Sequence, residues 1–296
     1  MPRLSLFVVT LAFAFAAGGA ALAEEPPPFE VDLMSFNIRF GTANDGPDHW
    51  RHRHEMVFDV IDRRGGDFVG LQEAVAFQID AIREAVPRYA TVGVGRDDGE
   101  RRGEFTNILY DRDRWELDAE HHGTFWLSDT PEKVASTSWG NDITRICTWA
   151  RFIERGTGRG IYIFNTHWDH RSQPSRVQSA KLVMQRIADR AHPGEPVVLM
   201  GDMNAGEDNP AMQYVRGEAA DAPLKLVDTF RVVHPEAEEV GTFNGFTIGS
   251  TGGAKIDHVL VEPGAVVLEA AIDRTAREGQ YPSDHFPVTA KVRWEN

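Results

Sequence analysis

Cysteine is almost absent: Cys147 stands alone among 296 residues. No intrachain disulfide can form, so the fold must rest on burial and hydrogen bonding whatever the redox compartment. Cys147 lies in the apolar-rich segment Ile143–Ile153, where an inert buried thiol is expected rather than a nucleophile. Positive charge is also scarce. Lys and Arg total 31 against 45 Asp and Glu, a formal net charge of −14, and no dense Lys/Arg run occurs anywhere. A surface this acidic repels polyanions at long range and counts against avid binding of duplex nucleic acid. Long apolar runs are missing after the first residues, so nothing later in the chain offers the ~20 apolar residues of a bilayer crossing. Internal repeats and long low-complexity linkers are absent too.

The one apolar stretch lies at the N-terminus. Arg3, the mostly apolar Leu4–Ala17 and the small-x-small step Ala21-Leu22-Ala23 have the order of an export signal. The run is short and Gly-interrupted, which argues against a membrane anchor, and no Cys follows the cleavage point to carry a lipid. Residues 1–23 are therefore expected to be a signal peptide, 24–29 a short tether and 30–296 one domain. The mature protein is expected to be periplasmic or secreted, without stable membrane insertion, and monomeric. Loss of Arg3 makes it one unit more acidic than the precursor.

Strand-like runs fall at Val31–Asn37, Phe68–Gln72, Ala90–Gly95, Phe105–Tyr110 and Arg114–Asp118. Others fall at Ile143–Ile153, Ile161–Thr166, Val197–Gly201, Ile256–Val261 and Val288–Arg293. Val177, Ala180, Val183, Met184, Ile187 and Ala188 make a helical stripe over Ser175–Ala191, stopped by Pro193-Gly194. Two further helices are expected at Arg51–Arg64 and Phe77–Val86. Strands alternating with helices near each end, around a strand-rich middle, point to two sheets packed face to face with helices outside.

Six of these segments end alike, with an apolar run meeting a carboxylate, an amide or a histidine. They end at or near Asn37, Glu73, His167, Asp202 with Asn204, Asp257, and Asp284 with His285. Chemistry collects where strands give way to loops. If these ends converge, four carboxylates share one pocket, and they cannot all stay ionised together without a cation. A hard oxygen-rich set suits Mg²⁺, with Mn²⁺ or Ca²⁺ as alternatives, whereas Zn²⁺ would want more His or Cys. His167-x-Asp169-His170 has no matching partner set for zinc. Asp202 and Asn204 can be read as turn formers or as a pair facing one pocket. Asp257 and His285 can form an acid–imidazole pair that fixes a tautomer. Arg171 and Arg176 are either a phosphate clamp or a solvated helix start. Trp126, Trp149 and Trp168 are read as core or pocket wall, and His49, His52 and His54 as solvated.

Taken in order, the six segments resemble the endonuclease/exonuclease/phosphatase family. Gly103-Glu104-Phe105-Thr106-Asn107, Arg145-Ile146-Cys147-Thr148-Trp149 and Asn165-Thr166-His167-Trp168-Asp169-His170-Arg171 are similar to its deadenylase/nocturnin-like bacterial branch. The resemblance implies a deoxyribonuclease I-like α/β fold, a four-layer sandwich of two mixed β-sheets flanked by helices. It implies catalytic roles for His167, Asp202, Asn204, Asp257 and His285, and a metal held by Glu73 with Asn37 and Asp284. Substrate contacts would come from Glu104, His170, Arg171 and Arg176. The expected activity is metal-dependent phosphoester hydrolysis by in-line water attack, without a covalent intermediate. A phosphodiesterase or nuclease on small phosphoesters or short single-stranded nucleic acid comes first. A phosphomonoesterase on sugar or inositol phosphates is the alternative, followed by a lipid phosphodiesterase and a catalytically inactive surface-binding domain. Whether Asp202 or His285 serves as base stays open at this level.

Overall fold

Alternation along each strand decides which side chains meet which layer. The computed structural model describes residues 28–295, so the leader and most of the tether lie outside the described residues. In β1 (Phe29–Asn37), Val31 and Leu33 point one way and Met34 and Phe36 the other, and all four are buried. A strand buried on both faces must lie between two apolar layers. The first sheet comprises β1, β2 (Phe68–Gln72), β3 (Tyr89–Val92), β4 (Ile108–Asp111), β11 (Val266–Ile272) and β12 (Val288–Trp294). Its order is β11-β12-β1-β2-β4-β3. The second comprises β5 (Trp115–Trp126), β6 (Ile146–Glu154), β7 (Gly160–His167), β8 (Val197–Asp202), β9 (Val227–Asp228) and β10 (Asp257–Val261). Its order is β5-β6-β7-β8-β10-β9.

Leu33, Phe68, Phe152, Ile163, Met200 and Val259 fill the space between the sheets. Met34, Phe36, Val69 and Leu71 face outward, under Val57 and Ile61 of α1 (Trp50–Arg64) and Ile79 and Ile82 of α2 (Ala76–Ala85). Across the molecule, Phe164 and Leu199 meet Ala180, Val183, Met184 and Ile187 of α3 (Gln173–Ala188) and Met212 of α4 (Pro210–Val215). A fifth, short helix, α5 (Thr229–Val233), packs near β10 and β11. Helix, sheet, sheet, helix is the expected four-layer order. Among the described residues no helix is long and apolar enough to cross a membrane.

Several boundaries differ from the sequence expectation. Helix α3 starts two residues early because Ser172 caps it, its Oγ accepting the Ser175 amide at 3.2 Å. Strand β5 runs far beyond Asp118, and a register break between Leu117 and His122 interrupts the alternation that would have revealed it. Strands β9 and β11 were not foreseen. The first has two residues, and the second is an edge strand with mixed burial, so neither carries a clear apolar run.

Register brings the functional ends together. Strands β1 and β2 run parallel with Asn37 opposite Gln72, and β7 and β8 run parallel with His167 opposite Asp202. Strand β10 returns antiparallel to β8, which places Asp257 opposite Asp202. Just beneath this edge the sheets meet through polar groups. Gln72 Nε2 donates to Asn165 Oδ1 at 2.7 Å, and Asn165 Nδ2 donates to the Leu71 and Asn107 carbonyls at 2.9 Å each. Gly70 permits this approach, since a Cβ there would lie 2.8 Å from the Asn165 amide.

Candidate active site

Each strand end delivers its group for a local reason. Gly201 has φ +147°, and a Cβ there would lie 2.0 Å from the Thr166 carbonyl, so only glycine lets β8 run beside β7 to its last residue. Asp202 follows, almost fully buried, and the chain turns through Asn204 at φ +46°. The Asn204 amide donates to Asp202 Oδ1 at 2.9 Å, and Asn204 Nδ2 donates to the Trp168 carbonyl at 3.0 Å. Glu73 leaves β2 at φ +58°, in the left-handed region that non-glycine residues seldom occupy. It does not cap α2, whose N-cap is Val75. Backbone strain of this kind at a pocket carboxylate is characteristic of functional positions.

Asp202 lies at the centre. Its Oδ2 accepts Asn37 Nδ2 at 3.0 Å and lies 3.4 Å from His167 Nε2 and 3.8 Å from His285 Nε2. Burial and the nearby Asp257 charge push its pKa up to about 7, against the lowering effect of His285. His285 Nδ1 bonds Asp257 Oδ2 at 2.9 Å, and donor atoms of Asp202, Asp257 and His285 lie within 4.8 Å of one another. Burial disfavours a charged His285, but Asp257 and Asp202 outweigh it and hold the imidazole well above its ordinary value. His167 is the opposite case. Burial and then the Arg145 charge hold it well below the ordinary value, so it is neutral. Two histidines side by side are therefore set to opposite charge states.

On the other flank, Asn37 Nδ2 also donates to Glu73 Oε1 at 3.1 Å, while Asn37 Oδ1 accepts the Arg39 amide at 3.0 Å. In this arrangement the amide nitrogen of Asn37, not its oxygen, faces the carboxylates. Arg39 Nη1 lies 3.8 Å from Glu73 Oε2, and Arg39 Nε lies 3.7 Å from Asp284 Oδ2. Both distances exceed hydrogen-bond length, because the guanidinium is held by Asp45 at 3.1 and 3.0 Å. Burial and the Glu73 charge push the Asp284 pKa up. The flank thus holds hard oxygen donors whose nearby cation, Arg39, stands beyond hydrogen-bond reach of both carboxylates. That is the chemistry of a divalent-cation site: Glu73 and Asp284 could hold the ion, and Asn37 could join them only with its amide turned so that Oδ1 faces the carboxylates.

The expected substrate contacts divide. Glu104 lies 3.9 Å from His167 Nδ1 and is gripped by Arg96 at 2.7 and 2.8 Å. His170 and Arg171 are exposed neighbours, with Arg171 Nε 3.1 Å from His170 Nε2. Arg176 is not presented to the pocket, because its guanidinium bonds Gln173 Oε1 and the Asp169 carbonyl inside the first turn of α3. Trp168 is fully buried, as core, and the Cys147 thiol is pushed far up by burial and is inert. His49 is not merely solvated, since its ring caps α1. Phe243 is 51% exposed, with its ring edge-on to His285 at 5.1 Å, and forms part of the pocket rim.

A profile of the Endonuclease/Exonuclease/phosphatase family matches residues 34–285, which spans every group just described. The chain belongs to that family. Members of the endonuclease/exonuclease/phosphatase family hydrolyse phosphoester bonds and typically depend on a divalent metal. A family protein from Bacteroides vulgatus superimposes with TM-score 0.81 at 31% identity, covering 90% of this chain and 99% of that one. A mannosyl-6-phosphatase from Bacteroides thetaiotaomicron superimposes with TM-score 0.77 at 31% identity, covering 88% and 99%. An uncharacterized protein of Acanthamoeba polyphaga mimivirus is 27% identical over 165 residues, or 53% of this chain, and the match spans 60% of that protein's length. The human nocturnin catalytic domain shares the fold, with TM-score 0.70 at 16% identity.

Three site residues escaped the sequence reading. Arg39 sits two residues after Asn37 in what looks like a turn. Ser283, whose Oγ donates to the Asn37 carbonyl at 2.7 Å, ties two distant segments together. Arg145 immediately precedes β6, and its neighbours His167 and His170 lie far away in sequence. Only the Arg145-Ile146-Cys147-Thr148-Trp149 motif pointed toward it.

Proposed function

We propose that the chain is an exported, divalent-metal-dependent phosphoester hydrolase whose preferred substrate is a small phosphate monoester, a sugar phosphate first. Mg²⁺ suits the carboxylate oxygens of Glu73 and Asp284, joined by Asn37 Oδ1 if that amide turns over, and when bound it would neutralise phosphoryl charge and polarise the phosphorus centre. The protein's own groups handle the protons. A cationic His285 has no free lone pair, so Asp202 is the group that accepts the proton of the attacking water. His285, kept charged by Asp257, faces the phosphoryl oxygens as a cation. Asn204 and the neutral His167 donate to the charge that develops there.

The observation that favours a small substrate is how positive charge is distributed around the pocket. Arg39 is committed to Asp45 and Arg96 to Glu104, and the sequence holds no dense Lys/Arg run that could supply a long basic track. A polynucleotide needs a row of cations. A compact ester with hydroxyls needs one phosphate site and nearby acceptors, and Glu104 beside His167 is such an acceptor. The likeness to the mannosyl-6-phosphatase over most of both chains supports the same reading. Export rests on the leader-like residues 1–23, and N-terminal sequencing of protein secreted by the native host should begin at Glu24.

The test compares kcat/KM at saturating Mg²⁺ for hexose 6-phosphates, p-nitrophenyl phosphate, bis-p-nitrophenyl phosphate and short oligonucleotides. Monoesters should lead by at least about 10-fold, one decade being about 1.4 kcal/mol of transition-state binding. A lead for the diester or the oligonucleotides would return the assignment to a phosphodiesterase.

A further inference from the structure

Among the described residues two arginines are buried, and they are treated very differently. Arg53, at 0% exposure, donates to four carbonyls: Asp48, Ile38, Pro282 and Arg39, at 2.7 to 3.1 Å. That is a structural arginine with four of its five donors used. Arg145 is 4% exposed, yet among the described residues its guanidinium makes one hydrogen bond, from Nη2 to His170 Nδ1 at 2.9 Å. Its Nε is buried without a partner. The carboxylate within reach, Asp169 Oδ2, stays 3.7 Å away, and the other oxygen of Asp169 accepts the amides of Arg171 and Ser172. A guanidinium carries five donors, and burying it underpaired costs stability.

The shortage extends to its neighbour. His170 faces Arg145 through one ring nitrogen and Arg171 Nε through the other, at 2.9 and 3.1 Å. A neutral imidazole has one acceptor nitrogen, so one of these two contacts sets donor against donor. Donors are in surplus around His170, and Arg145 itself lines a narrow crevice together with Arg96, Glu104, Thr106 and His167. Arg145 also acts on the reacting groups, as the largest charge effect on His167 and a partner of Asp202.

We propose that Arg145, backed by His170 and Arg171, is a specificity-determining residue that binds the extra negative oxygen of a phosphate monoester beside His167. A monoester carries two charges where a diester carries one, and the underpaired guanidinium supplies the matching donors. This rests on the monoester reading above and adds the residue that would enforce it. Binding of the phosphoryl group completes the hydrogen bonding that the ligand-free protein leaves open.

The experiment uses full-length mature protein with Mg²⁺, as wild type, Arg145→Met and Arg145→Lys. Activity is read on p-nitrophenyl phosphate and bis-p-nitrophenyl phosphate, and melting temperature is read with and without inorganic phosphate. Arg145→Met should lose about 10²-fold in kcat/KM on the monoester, as for removal of one well-placed oxyanion donor. Its loss on the diester should stay below about 5-fold, and inorganic phosphate should no longer raise its melting temperature. Without phosphate, Arg145→Met should melt close to wild type, because losing an underpaired buried guanidinium offsets leaving Asp169 without its 3.7 Å neighbour, while two backbone amides still hold that carboxylate. Arg145→Lys keeps the charge but not the planar fork, so it should keep the monoester preference with a loss of about 10-fold. Equal losses on both esters, or a lower melting temperature with the phosphate response intact, would overturn the proposal. So would failure of both variants to fold, which would make Arg145 structural. If wild type itself prefers the diester, the monoester reading fails, and the change in the monoester-to-diester ratio on Arg145→Met still judges Arg145 separately.

Discussion

Replacing Asp257 by Asn tests the charge arrangement at the reacting centre with the smallest change in shape. Asp257 is fully buried, and its Oδ2 bonds His285 Nδ1 at 2.9 Å. The carboxylate fixes the ring proton on Nδ1 and supports a positive imidazole. An amide can still accept from Nδ1–H, but without charge, or it can turn and donate to Nδ1, which imposes the other tautomer. A hydrogen bond to a charged group is worth about 1.5–3 kcal/mol and a neutral one about 1 kcal/mol. The difference alone predicts a slowing of roughly 3- to 30-fold, and the tautomer change adds to it. We therefore expect kcat to fall by about 10²-fold, near the lower end of acid–base contributions. The assay is kcat for Asp257→Asn, His285→Ala and the double variant on one substrate at fixed free Mg²⁺. Because the two residues act as a unit, the double variant should be barely worse than His285→Ala. A double variant showing the product of the two single losses would refute the pair, and a near-wild-type Asp257→Asn would refute its electrostatic role.

Further outcomes follow from the same geometry. Chelation should abolish activity and Mg²⁺ or Mn²⁺ restore it; Glu73→Gln should weaken metal affinity in calorimetry while circular dichroism stays unchanged, and full activity in excess chelator would exclude a metal role. With Asp202 raised to about 7 and acting as base, kcat/KM should fall as pH drops below about 7, and Asp202→Asn should remove that limb along with at least about 10²-fold of rate; an identical limb in the variant would point to another group. Lys255, fully buried, donates to Asp228 Oδ2 at 2.5 Å and approaches His258 Nδ1 at 2.6 Å, so Lys255→Met should cost about 3–5 kcal/mol in urea unfolding; a loss under about 1 kcal/mol would show that the triad is not a buried charge network. For any nucleic acid the chain does cleave, log kcat/KM against log salt should reflect about two phosphates or fewer, with a slope of about −0.9 per phosphate on duplex DNA; a steep slope with best activity on duplex would reveal a basic groove.

Much of this architecture was legible because strands buried on both faces leave continuous apolar runs. Phe68–Gln72 and Val197–Gly201 could hardly be anything else, and the groups that end them were marked by their contrast with what precedes them. The positions of Glu73, Asp202 and His285 followed from that contrast. What stayed hidden was hidden for physical reasons. The two-residue β9 and the half-exposed edge strand β11 carry no periodic signal, and the bulge in β5 breaks the period of a longer strand. Arg39, Arg53 and Arg145 look like surface charges in a chain with 45 acidic residues, and only the fold shows what surrounds them. Arg176 was open between a clamp and a solvated helix start, and the fold shows Gln173 and the Asp169 carbonyl occupying its donors.

These hidden cations explain how the visible ones are held. Glu73, Asn204 and Arg39 all sit at positive φ, at 58°, 46° and 57°, each a conformation costing on the order of 1–3 kcal/mol for a non-glycine residue. Such geometry persists only where the surroundings over-determine it. Arg53 does this for the Asn37–Arg39 turn by binding the carbonyls of Ile38, Arg39 and Pro282, which ties the end of β1 to the segment that carries Asp284 and His285. His258, locked by Asp228 and Lys255, does it for the other flank, where its Nε2 lies 3.2 Å from the Ala205 carbonyl, next to Asn204. Both supports are buried and held by several hydrogen bonds, so they add rigidity without offering charge to a substrate. Arg145 has the same burial without the partners. A fold that satisfies two buried cations so thoroughly, and leaves the third open toward the reacting centre, has the donor pattern expected when the missing partner is the substrate's own anion.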